Sequence, residues 1–210
     1  AITGGDITNT GTINGYGNIS NNINNEGTIS AANDTMILGG SVSNGTNGLI
    51  TAATGGQVLA LQGLDTNNGV INLTGGVVDN NNHEMTNESQ VSGYGKLRTG
   101  GLTNNGSVHL TGGTTTVHGD VTNDAHMQVS YDAAIFTGDV VNNGVFKTTD
   151  TTVTFTGSYT ENGAYISDPS DNYFTDLTIG ESGHLFGGVG DNWYISGDLV
   201  NNSEQASKWY

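Results

Sequence analysis

Carboxylates are the only reactive side chains this sequence supplies in quantity: 20 Asp and Glu stand against 4 Lys and Arg and 5 His, with no Cys. Without Cys there is no thiol nucleophile, no disulfide and no thiolate zinc site. One carboxylate pair has a suggestive spacing. Asp120 and Asp139 each close a Gly-Asp step, and in neighbouring turns of a repeating coil they would lie about 5 Å apart. Like charges that close raise one pKa or recruit a cation, and oxygen donors suit Ca²⁺. Two acids supply too few oxygens for that ion, so solvated acids beside a Gly turn are the plainer reading.

A second group lies where the sequence becomes irregular. SDPSDNYFTD (167–176) carries the only Pro, with Asp168, Asp171, Tyr173 and Phe174, and GDNWYISGD (190–198) adds Trp193 and Tyr194. Aromatic faces beside Asp and Asn acceptors suit sugar recognition, and protruding loops are where binding usually resides. The competing reading has Tyr173, Phe174 and Trp193 plugging widened coils. Among the few cations, Lys96 and Arg98 share one strand face and form a candidate anion or sugar clamp, while Lys147 and Lys208 stand apart. His83, His109, His118, His126 and His184 show no metal-ligand spacing and no Ser/His/Asp arrangement. No catalytic residue and no cofactor beyond Ca²⁺ is expected, and the GYG steps are too short to carry chemistry.

What must position these residues is a repeat. LTNNGSVHLTGG (102–113) recurs as VTNDAHMQVS (121–130), VVNNGVFKTT (140–149) and YTENGAYIS (159–167). The small residue closing each phrase gives eleven anchors: Gly11, Gly27, Gly48, Gly69, Ser89, Gly106, Ala125, Gly144, Gly163, Gly183 and Ser203. A nearly fixed period of about 19 residues marks a solenoid. Two residues after the anchor runs an apolar column from Ile13 to Leu185, set inward by strand alternation. Four before it runs another: Ile7, Ile23, Met85, Leu102, Val121, Val140, Tyr159, Ile179 and Leu199. Two before it stand Asn9, Asn25, Asn67, Asn87, Asn104, Asn123, Asn142 and Asn201, spaced to form an amide ladder. The anchor glycines are expected to turn the corner with positive φ.

The apolar fraction of 33% is low for a compact globule, but Thr, Val and Ile among Asn and Gly favour strands and tight turns over disorder. The expected fold is all-β: residues 1–210 form a single-domain parallel β-helix (β-solenoid) of about eleven coils. It is expected to be right-handed by the general crossover preference, and less regular over 165–198. The runs TTT (114–116) and TTDTTVTFT (148–156) would suit ice binding only if Thr recurred in one column, and counted from the anchors the runs do not.

Phrases such as INGYGNISNNINNEGTISAAND and VSGYGKLRTGGLTNNGSVHLTGG resemble the repeats of bacterial secreted β-solenoids, among them filamentous-haemagglutinin-like adhesins and autotransporter passenger domains. The run GAYISDPSDNYFTDLTIGESGHLFGGVGDNWYISGDLVNNS is similar to extracellular proteins sorted by the exosortase (PEP-CTERM) system. The resemblance implies the fold and an extracellular, cell-surface location, and transfers no catalytic residue.

A formal charge of −16 excludes phosphate-backbone partners and disfavours anionic membranes, and no stretch approaches a membrane span. The expected partners are a second copy, joined end to end into a filament, or host and matrix glycans; the alternative is a carbohydrate-active β-helix. The chain is expected to be a mature or trimmed piece of something longer.

Overall fold

In a computed structural model, described for residues 4–205, the chain winds into about ten parallel coils of about 19 residues with no helix. The eleven anchors bound those ten intervals. At the ~4.8 Å spacing of paired strands the stack is about 50 Å long. Each coil has three strand faces. The first follows the anchor, as in Ser107–Leu110 and His126–Ser130; the second is represented by Gln57–Ala60 and Ala133–Phe136; the third, by Ile23–Asn25 and Val140–Asn142. Between the end coils the strands pair in parallel with the coils below and above them, so the backbone hydrogen bonds of each coil are spent on its neighbours.

The first apolar column forms as the sequence spaces it. Ile13 pairs with Ile29, and the register runs through Ile50, Ile71, Val91, Val108, Met127, Phe146 and Tyr165 to Leu185. On the second face Met36, Val58, Val78, Leu97, Val117, Phe136, Phe155 and Phe174 stack in the same way. The core changes character along the axis. It is aliphatic in the early coils and aromatic from Phe136 onward, where Phe136, Phe155 and Phe174 stack at 5.2 and 5.0 Å.

The third face corrects one column. Tyr159 pairs with Leu177, and Leu177 with Leu199; Ile179 lies two residues further on, opposite Glu161 and Asn201. The coil at that point lacks the glycine of its Gly-Asp corner, and separately it places Leu177 six residues before its anchor, Gly183, where Tyr159 stands four before Gly163.

The amide ladder is present and longer than its motif. Asn9, Asn25, Asn44, Asn67, Asn87, Asn104, Asn123 and Asn142 each donate from Nδ2 to the rung above, at 2.6–2.8 Å. Each also donates to a main-chain carbonyl of the next coil, as Asn104 does to His126 at 3.0 Å. Asn44 is a rung although it lies four residues before its anchor. Asn201 is not one, because the rung below it is Ile179.

The anchor glycines have a different reason from the one the sequence suggests. None of them adopts a positive φ. Coils approach so closely there that a Cβ on Gly106, Gly144 or Gly163 would collide with the carbonyl oxygen of the anchor below. Positive φ falls instead at other corners: between the first and second faces at Gly55, Gly75, Gly93, Gly95 and Gly112, and between the second and third at Gly63 and Gly119.

Candidate functional site

The structure stacks Asp120 and Asp139 in successive coils and gives their carboxylates a structural partner. Asp120 Oδ1 accepts the Asp139 N–H at 2.9 Å, and Asp139 Oδ1 accepts the Ser158 N–H at 2.8 Å. Asp176 does the same for Asp198 at 2.8 Å. These acids satisfy main-chain donors where each coil enters its third face. Among the described residues no group of three or more His, Asp or Glu is placed to hold a metal ion.

SDPSDNYFTD does not protrude. It lies within one strand, Ala164–Ile179, paired in parallel with Val145–Glu161 with one register shift after Phe174. Its polar residues turn inward: Ser167, Ser170 and Asn172 are buried, and Tyr165 donates its hydroxyl to Asn172 Oδ1 at 2.7 Å. Asp191 accepts from the Ser170 N–H at 2.8 Å and from the Ser167 hydroxyl, closing the network from the coil above. Asp168 stays exposed, and Asp171 accepts from Asn192 Nδ2 at 2.9 Å.

The aromatic residues divide by strand alternation. Phe174 is buried between Phe155 and Trp193, and Trp193 also meets Tyr165 edge-on at 5.1 Å, so these two belong to the core. Tyr173 and Tyr194 face outward and stack on one another at 4.5 Å, 11° from parallel. A groove of about 440 Å³ opens beside them, its walls carrying Thr154, Thr156, Thr175 and Ser196.

Lys96 and Arg98 do share a face. Arg98 is bound to Asp79 at 3.3 Å, and His118 pairs with Arg98 from the coil above. Burial, then the charges of Arg98 and Lys96, push the His118 pKa below its ordinary value. Lys208 lies outside the described residues. Sequence reasoning missed the groove of about 630 Å³ next to Lys96, lined by Tyr94 and corner glycines. The GYG step was the signal for it, because its two glycines are what turn the Tyr94 ring. His109 Nε2 lies 2.8 Å from Ser130 Oγ, but Ser130 is only 1% exposed and is not offered to a substrate.

Threonines recur in two columns, and of the run 148–156 Thr156 takes part, stacked between Thr137 and Thr175. Thr66, Thr86, Thr103 and Thr122 pair upward on the third face, Val141 interrupts, and Thr160 and Thr178 continue. The third-face column is one Thr wide, with the Asp120/Asp139 acids on one side and Asp124 bonded to Asn143 on the other.

No candidate membrane-spanning helix is present among the described residues. Compared with family models, curated proteins and solved structures, the chain has no significant match.

Proposed function

We propose that the chain is a non-enzymatic rod of an extracellular bacterial surface, structural or adhesive, with self-association end to end as its mode of assembly. One observation carries this reading. The coils form a continuous hydrogen-bonded stack whose outward columns mostly repeat polar residue types, Thr flanked by Asp and Asn, rather than converging on a reactive group. Repetition of that kind distributes contacts along a length. Electron microscopy of the purified chain is expected to show rods about 50 Å long that join into unbranched fibres at high concentration. Monodisperse rods at every concentration would remove self-association from the reading. Release of reducing sugar from any member of a polysaccharide panel would overturn its non-enzymatic part.

A second reading, glycan binding, is favoured by the Tyr173–Tyr194 stack. Each ring covers one face of the other, so the contact surface for a sugar is the outer ring face and the hydroxyls of Thr175 and Ser196 beside it.

A further inference from the structure

The corner between the first and second faces carries a site that neither reading uses. Tyr94 sits between Gly93 and Gly95, with φ of 91° and 132°, a backbone that swings its side chain out across the corner. The ring then lies against the coils on both sides. A Cβ on Gly113 would collide with it, and one on Gly75 or Gly112 would come within 3.2 or 3.3 Å of a ring carbon. Missing side chains below and above therefore hold the ring in place and leave the groove of about 630 Å³ open.

The second-face wall of this groove is Lys96, with Thr116 above it in register. Two of the four Lys and Arg of a chain carrying −16 stand here, two residues apart on one strand. Their positions differ in kind. Arg98 is answered by Asp79 at 3.3 Å, whereas Lys96 is exposed with no ion-pair partner among the described residues. An aromatic ring, Thr114 and Thr116 hydroxyls and one unanswered ammonium around a concave surface match a sugar that bears an acid group. Further along the same corner, Tyr131 is 70% exposed two coils above Tyr94, about 10 Å away, the span of two sugar rings. Beyond Tyr94 the corner turns acidic, with Asp132, Asp150 and Asp171 lining the next groove. The ligand's own acid is thereby confined to the Lys96 end.

We propose that this corner groove binds a uronate-bearing glycan, with a sugar ring on Tyr94 and its carboxylate on Lys96. The proposal adds a ligand to the rod and stands whether or not rods assemble. Titration calorimetry of the whole chain at low salt with xylose oligomers that carry a single glucuronate tests it. The oligomers are expected to bind, and neutral xylose or glucose oligomers to bind at least about tenfold more weakly. Lys96→Ala and Tyr94→Ala are each expected to weaken binding of the glucuronate-bearing oligomers at least about tenfold, Lys96→Ala with an unchanged melting temperature, while Lys147→Ala, on the first face, leaves binding intact. Absence of binding, equal affinity for neutral oligomers, or an equal loss in Lys147→Ala overturns the proposal. Binding of dextran sulfate alone overturns the uronate assignment.

Discussion

Glu161 stands where the eight coils below it place an asparagine, and its chemistry explains why. Every rung passes a donor upward, so the uppermost rung needs an acceptor with nothing left to donate. The position above is Ile179, which has nothing to accept. A carboxylate meets the requirement. Glu161 takes Asn142 Nδ2 at 2.8 and 3.0 Å, the Tyr159 hydroxyl at 2.9 Å and the Gly163 N–H at 2.7 Å. Burial nonetheless raises its pKa to about 7, against hydrogen bonds from Asn142, Tyr159 and Gly163 that pull it down. A raised carboxyl pKa means that the folded state holds the proton more tightly than the unfolded chain. The group therefore opposes folding above about pH 7, and that opposition fades as pH falls toward 4.5, by about 3 kcal/mol in all. Surface acids add their own pH dependence, so the check is a difference. The stability gap between the native chain and Glu161→Gln, from urea melts, is expected to shift by about 3 kcal/mol in favour of the native chain between pH 8 and pH 5. A gap independent of pH would show that Glu161 ionises normally. Inside the ladder, Asn104→Ala leaves the buried Asn87 amide without its rung and Asn123 without its donor, and is expected to cost about 2–5 kcal/mol in the same melts. At this scale the sequence spelled out the rungs that share one offset from the anchor. It hid Asn44, at another offset, and Glu161, whose role comes from the direction of the ladder rather than from its spelling.

The coil is held in register by what its neighbours leave no room for. Along the anchor column the residues with a side chain, Ser89, Ala125 and Ser203, are never adjacent: Gly69 and Gly106 flank the first, Gly106 and Gly144 the second, and Gly183 precedes the third. Gly144→Ala would set a methyl against the Ala125 carbonyl, whereas Gly11→Ala meets nothing within 4 Å. Thermal melts are expected to show a loss of several degrees for Gly144→Ala and almost none for Gly11→Ala; equal losses would point to backbone entropy instead. The same reasoning separates the C-terminal aromatics. Trp193→Ala removes a ring packed on Phe174 and Tyr165 and is expected to cost about 2–3 kcal/mol, while Tyr194→Ala, on the outside, costs under about 1 kcal/mol. Strand alternation within NWYI carries this division, and it was legible once the segment was read as strand. Pro169 and three Asp made the preceding segment look like a loop. What overrides them is the buried network of Ser167, Ser170 and Asn172, which gives those polar side chains partners inside the coil. A residue count cannot show that partnership, because Asp191 supplies it from the next coil.

Over the whole molecule, stability follows from each coil touching only its neighbours, so it varies along the axis with what each coil buries. The column from Leu97 to Phe174 on the second face is at most 2% exposed throughout, and from Phe136 upward it gains a cluster of stacked and edge-on rings. The first described coil buries little beyond Asn9 and Ile19, with Ile7 and Ile13 only half-buried. The last has Leu199 and Val200 exposed and only Leu185, Trp193 and Ile195 packed against the core. Opening should therefore begin at both ends of the stack and stop at the aromatic coils, where the rings add about 0.5–1.5 kcal/mol per pair beyond their buried area. Hydrogen exchange followed by mass spectrometry on the 210-residue chain is expected to find strand amides in Ile7–Asn9 and Leu199–Asn201 exchanging at least about tenfold faster than those in Ala133–Phe136 and Val145–Glu161. Uniform protection from end to end would mean that the coils open as one unit. The neighbour-by-neighbour account of the rod would then give way to a single cooperative fold.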